Sequence, residues 1–145
     1  MIFDAHTHLH QGILPRRGDF FQLVSAATPE ECRCLDTLRG QDPRLFYSCG
    51  VHPWQSDAVP ITALAPWLSA ACALGEIGMD SVWCTVDLAV QRQVFRAQLR
   101  LAEALRKPVI LHTKGCEQAV LEEIESFPCP ILVHWYSSSE HLEGY

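Results

Sequence analysis

Short apolar runs alternate along this chain with longer stretches of helical spacing, and that alternation constrains the fold more than any other feature. The runs Ile2 to Ala5, Phe21 to Ala26, Leu45 to Cys49, Ala73 to Ile77, Pro108 to Leu111 and Ile131 to His134 are bounded by Gly, Pro or polar residues and read as strands. Between them, Thr28 as N-cap, Pro29 at the first helical position and Glu31 three residues after the cap predict a helix running to about Arg39. A second helix is expected within Ile61 to Ser69. The clearest helix runs from about Asp87 to Arg106, with Leu88, Phe95, Leu99, Ala102 and Leu105 on one stripe and Pro108 beyond its end. A fourth covers about Glu117 to Glu125, and Ser137 with Glu140 predicts the opening of a fifth. Strands separated by helices of this length belong to parallel α/β folds, either a doubly wound sheet or a (β/α) barrel, and periodicity does not choose between them.

With 145 residues, 48% of them apolar, the chain has enough apolar material for one ordinary domain, and residues 1–145 are read as a single one. Its formal net charge of −6 is the wrong sign for a protein that coats nucleic acid by general electrostatics, while a local contact with a phosphate stays open. Seven cysteines, an odd number set in apolar segments with no secretory leader before them, are read as reduced thiols in a cytoplasmic protein. No stretch is apolar for long enough to span a membrane, since the most apolar region, Ile61 to Ile77, contains Pro66, Ser69 and Glu76.

Chemistry concentrates at the strand ends. His6 and His8, His52, Glu76, His112 and His134 lie at or just past the C-terminal ends of predicted strands. In a parallel architecture those ends share one face, so residues far apart in sequence converge there. Imidazoles suit Zn, Ni, Cu and Fe, and a carboxylate can bridge two ions, so the set has the composition of a mono- or dinuclear centre. Side chains alternate along a strand, which places His6 and His8 on one side. A single strand-end His is commonly a hydrogen-bonded structural residue. Glu76, inside an apolar run, must find a cation or a donor, for which an Arg partner is the structural alternative. No nucleophile elbow, phosphate loop, dinucleotide fingerprint, C-x-x-C pair or H-E-x-x-H helix offers a competing chemistry. Cys32-x-Cys34 falls within a helix, where residues two apart diverge, and is read as packing. Trp54, Trp67, Trp83 and Trp135 are read as core or rim rather than a base-stacking platform, with Trp54 and Trp135 flanking the site.

The segments Phe3-Asp4-Ala5-His6-Thr7-His8-Leu9, Cys49-Gly50-Val51-His52-Pro53-Trp54, Leu74-Gly75-Glu76-Ile77-Gly78-Met79-Asp80, Val94-Phe95-Arg96-Ala97-Gln98-Leu99, Lys107 to Lys114 and Val133 to Ser137 resemble, in order, the signatures of the TatD family of metal-dependent deoxyribonucleases, within the amidohydrolase-like barrels. The resemblance implies a (β/α)8 TIM-type barrel, here incomplete at about six βα units. It further implies two divalent ions, Zn, Mn or Mg, with His6 and His8 on one, Glu76 bridging as the catalytic carboxylate, and His112 with His134 on the other. Lys114 and His52 are expected to meet substrate. Tyr136-Ser137-Ser138 departs from the family's usual Phe-Ser-Gly, and the family's last acidic ligand, an Asp after the eighth strand, would lie beyond Tyr145.

The implied activity is hydrolysis of a phosphodiester, in DNA or a small phosphodiester, by ions that generate a hydroxide and stabilise charge on the phosphoryl oxygens. The alternatives are hydrolysis of an amide, lactone or small ester, and a non-catalytic truncated barrel fragment. A barrel of this kind takes about 250 residues, so Ile2 to Ala5 and Ile131 to His134 are expected to border a gap through which chains self-associate.

Overall fold

Each of the six short apolar runs forms a strand, and every strand pairs in parallel. The computed structural model describes residues 2–10 and 20–145. Strands β1 (Phe3–His8), β2 (Phe21–Ala26) and β3 (Leu45–Cys49) form one sheet in that order, and β4 (Leu74–Asp80), β5 (Val109–Lys114) and β6 (Ile131–His134) form a second. A parallel bridge between Ser48 and Ala73, flanked by bonds from Cys49 N to Ala73 O and from Cys72 N to Tyr47 O, joins the two. The six strands thus follow sequence order as one curved wall with helices outside it, the arrangement of a TIM-type barrel and not of a doubly wound sheet. Curvature brings the outer strands together at their C-terminal ends, where the rings of His6 and His134 lie 3.7 Å apart between centroids.

The helices are α1 (Pro29–Arg39), α2 (Ala65–Leu68), α3 (Leu88–Leu105) and α4 (Glu117–Ile124). Helix α1 starts as its sequence dictates. Glu31 N donates to Thr28 Oγ1 at 3.2 Å, and the Glu31 carboxylate accepts from Ala27 N at 2.8 Å. The stretch from Ile61 is only a turn of 3₁₀ helix followed by the single turn of α2, as Pro66 within it predisposes. No fifth helix forms among the described residues. Ser138 Oγ instead accepts from Glu140 N two residues on, and His141 turns left-handed with φ +62°, so the hydroxyl closes a local turn where a cap was expected.

The core lies between the strands and the helical layer, with Tyr47, Phe95, Leu35, Leu64, Leu74, Ile77 and Leu111 fully buried. Leu88 and Leu105, expected on the core stripe of α3, sit at its ends and stay exposed. Gln91 and Gln98 take buried places on that stripe, and both grip main chain that carries the site. Gln98 bonds the N–H and C=O of Val51 at 2.7 and 2.9 Å, and Gln91 bonds those of Asp80 at 2.8 and 3.1 Å. Glutamine supplies both a donor and an acceptor, so each side chain satisfies two otherwise buried backbone groups and fixes a loop after β3 or the end of β4. No helix of the described residues is long and apolar enough to cross a membrane.

Candidate metal centre

Strand register assembles the site. Pairing sets His8 beside Ser25 and Ser25 beside Ser48 in the first sheet, and Gly78 beside His112 and His112 beside His134 in the second. Because side chains alternate, His6 with His8, Glu76 with Asp80, and His112 with Lys114 project to the same side of their strands. Glu76 is not at a strand end, as the apolar run suggested, but in the middle of β4, which continues to Asp80 by pairing with β5.

Imidazoles surround the Glu76 carboxylate, which is only 3% exposed. His6 Nε2 and His8 Nε2 each lie 3.4 Å from Oε2, His52 Nε2 lies 3.9 Å from Oε2, and His112 Nδ1 lies 3.1 Å from Oε1. The partners expected as an alternative, arginines, are not among these neighbours. Among the described residues, two groups of ligand atoms are close enough together to hold an ion, His6 with His8 and Glu76, and His52 with Glu76 and His112. Glu76 belongs to both. His134 is in neither group but stacks on His6 and lines the same cavity.

Behind this ring of donors stand residues that orient them. Ser25 Oγ lies 3.2 Å from His6 Nδ1 and 2.8 Å from Ser48 Oγ, which leaves Nε2 of His6 facing Glu76. Asp80 is fully buried. Its Oδ2 lies 3.0 Å from His112 Nε2 and accepts from Trp54 Nε1 at 2.9 Å, while its Oδ1 accepts from the backbone N–H groups of Val82 and Trp83, each at 2.8 Å. Sequence reasoning passed over Asp80 as a site residue, although its place four residues after Glu76 on a strand puts both carboxylates on one side.

Charge follows from these contacts. Burial works to raise the Glu76 carboxyl, but the hydrogen bonds of His112, His6 and His8 and the nearby His52 outweigh it and hold Glu76 below the usual carboxylate range. Burial likewise opposes ionisation of Asp80, and the bonds from Trp83, Trp54, His112 and Val82 bring it down to about 2. Desolvation pushes His52 down to about 4, so it is neutral near pH 7, the form that binds metal. Burial also lowers His134, helped by its neighbour His6. His112, although burial lowers it, is raised on balance by Glu76 and Asp80.

The cavity holds about 360 Å³, inside the range of about 300–1,000 Å³ common for small-molecule sites. His8, His52, Glu76, His112 and His134 line it together with Trp54, Trp83 and Trp135. Lys114 is nearly buried against two of these indoles, with its ammonium 5.0 Å from the ring of Trp83 and 4.7 Å from that of Trp135 and bonded to the Ser137 hydroxyl. The ligand set fits borderline divalent ions: imidazoles for each position and a charged carboxylate common to both groups.

Comparison with known proteins gives the family and the fold. The family model described as TatD related DNase matches residues 3–144. An uncharacterized metal-dependent hydrolase of Escherichia coli (strain K12), YcfH, is 28% identical over 163 aligned residues, which cover 99% of this chain and 62% of the relative. The human 3'-5' RNA nuclease TATDN2 is 39% identical over 61 residues, 41% of this chain and 8% of the relative. Among solved structures, YJJV, a TatD homolog from Escherichia coli K12, superposes with a TM-score of 0.77 at 23% identity over 94% of this chain and 61% of its own. A TatD-like protein from Archaeoglobus fulgidus gives 0.63 at 22% identity, over 91% of this chain and 67% of its own. The chain therefore spans about three-fifths of the length of the first two full-length relatives.

Proposed function

The chain belongs to the TatD related DNase family, and from that premise we propose that it is a metal-dependent hydrolase of phosphodiester bonds, with DNA its first-choice substrate. The observation that carries the reading is the convergence of His6, His8, His52 and His112 on one buried carboxylate, Glu76, in a cavity two of whose lining indoles, Trp83 and Trp135, lie against the Lys114 ammonium. His6, His8 and Glu76 would hold one divalent ion, and Glu76, His112 and His52 a second, with His134 beside His6 completing the sphere of donors. Ions bound there would supply Lewis-acid charge to a phosphoryl oxygen and acidify an attacking water.

The chain's own groups do the rest. Glu76 stays ionised and bridges the two positions. Asp80 fixes the ring of His112, and Ser25 fixes that of His6, so the donors need little reorganisation when a ligand arrives. Lys114, lying over the rings of Trp83 and Trp135, would meet substrate phosphate as a point charge. The negative net charge suits short or single-site engagement rather than long-range coating.

Elemental analysis of the purified chain after incubation with Zn, Mn or Mg, together with hydrolysis of single-stranded DNA and of an activated phosphodiester, tests the proposal. Metal retained by the wild type and lost in Glu76→Ala, with cleavage abolished by chelation, is the expected result. Cleavage that survives chelation, or an amide or lactone turned over far faster than any phosphodiester, overturns it.

A further inference from the structure

We propose that Trp83 and Trp135, steadied by Lys114, form a stacking subsite for an unpaired nucleobase at the mouth of the cavity, next to the position of the scissile phosphate. The inference rests on the phosphodiesterase reading and names the part of the substrate that reading leaves open.

The two indoles follow strands that lie two apart in the same sheet, β4 and β6. Trp83 lies in the loop after β4, where its backbone N–H is held by Asp80, and Trp135 follows His134 at the end of β6. Their rings approach to 5.6 Å between centroids at an angle of 41°, and both line the cavity that contains Glu76 and His134. Neither is packed away. Trp83 is 49% exposed and Trp135 64%, so both indoles present open surface beside the cavity they line. Indoles recruited for the core would be covered, and Phe95 and Tyr47 show that this fold covers aromatic rings fully when packing is their purpose.

The backbone supports the same reading. Trp135 has φ +47°, in the left-handed region where a bulky residue is rare and costly. That conformation aims its ring across the mouth towards Trp83 immediately after β6 has delivered His134 into the site. A metal-site residue and an exposed indole are thus consecutive in the chain and differ only in the direction they face.

Lys114 explains why the ligand should be a nucleotide and not merely an aromatic group. Its ammonium touches two indole faces and a serine hydroxyl, none of which is an anion. The cation is drawn to the negative faces of the rings, which orients them, and keeps its charge for an incoming phosphate. An exposed π-face, a cation and a carboxylate–imidazole cluster, arranged side by side, match in turn the base, the backbone phosphate and the bond to be cut. A base inside a duplex has both faces covered by its neighbours, so only an unpaired or extruded base can use the site.

Binding measured without divalent metal, in the presence of chelator, separates this subsite from the reaction. The probes are a labelled short oligothymidylate and an abasic phosphodiester chain of the same length and charge, read by anisotropy of the label and by tryptophan emission. The wild-type chain should bind the base-bearing oligomer about ten- to a hundred-fold more tightly and show quenched indole emission with it alone. Trp135→Ala should remove the preference, and Trp135→Phe, which keeps a ring and the fold, should retain part of it. Equal affinity for the two oligomers, no binding of either, or a preference that survives both Trp135→Ala and Trp83→Ala overturns the subsite. A base preference with no hydrolysis under any divalent metal would remove the proposed reaction and leave the subsite standing. Hydrolysis of both oligomers alike, with equal affinity, would do the reverse.

Discussion

Asp80 Oδ2 lies 3.0 Å from Nε2 of His112, on the far side of the ring from Glu76, so one imidazole is held between two buried carboxylates. Nε2 of the ring faces Asp80 and Nδ1 faces Glu76, so the orientation of the imidazole is set from both sides. An acceptor behind a ligand imidazole both orients the ring and raises its basicity, and removing such a partner typically costs about 10- to 100-fold in metal affinity or activity.

Asp80→Asn should therefore lower metal affinity by about that factor while Glu76, His6 and His8 remain in place. Asparagine keeps an oxygen for the N–H groups of Val82 and Trp83, so the loop after β4 has no reason to unfold. Isothermal titration with Zn or Mn checks the outcome. Affinity equal to wild type would mean that the carboxylate serves only the loop and Trp54.

Lys114 is expected to serve substrate and not metal. Its ammonium faces indoles and a hydroxyl rather than the Glu76 cluster. Lys114→Met keeps an apolar stem against the rings and removes the charge. A charged hydrogen bond lost to phosphate is worth about 1.5–3 kcal/mol, so KM for a phosphodiester should rise by about 10- to 100-fold with metal content unchanged. Loss of bound metal in this variant would place the lysine in the metal site's support instead.

The strands and α1 were legible because their signals are local: apolar runs with Gly or Pro at their ends, and a Thr28–Glu31 capping pair that forms as written. The convergence of the histidines was legible because strand C-termini of a parallel fold share one face, and Glu76 was legible because a carboxylate in an apolar run must find a partner. What stayed hidden depends on distant partners. Asp80 reads as the first polar residue of a loop until Trp54, 26 residues away in sequence, is seen to donate to it. His52 was legible as a strand-end histidine but was expected to meet substrate, whereas its ring lies with the Glu76–His112 pair. The extension of β4 through Gly78 to Asp80 could not be read either, because glycine weakens a strand signal and the compensation comes from β5.

Gly78 is the point where that compensation is most exacting. Its φ is +145°, and a Cβ added there would stand 2.0 Å from the carbonyl oxygen of His112 on the paired strand. Neither backbone can yield without moving a metal-site residue. Gly78→Ala should cost about 2–6 kcal/mol, combining overpacking and strained backbone at about 1–3 kcal/mol each, and should lower metal affinity along with stability. Urea denaturation with and without Zn measures both. A variant as stable as wild type would show that β4 and β5 separate easily at this register.

The last expectation concerns acid stability far from the site. Glu123 on α4 accepts from Arg96 at 2.6 and 2.7 Å and from Arg92 at 2.8 Å on α3, clamping the two outer helices together. The hydrogen bonds of Arg96 chiefly, against a smaller opposing effect of burial and with help from Arg92, hold the carboxyl below its ordinary value of 4.5. A carboxylate whose pKa is depressed by folding stabilises the folded state above its unfolded pKa and loses that contribution as pH falls through the folded value. Wild type should exceed Glu123→Gln in thermal midpoint by a constant margin at neutral pH, and the margin should close as pH drops from about 4.5 towards 3. Added salt should narrow it too, since Arg96 is exposed and its charge is screened. A margin that persists unchanged at pH 3 would mean that the carboxylate's charge does not contribute and that the helices are joined by packing alone.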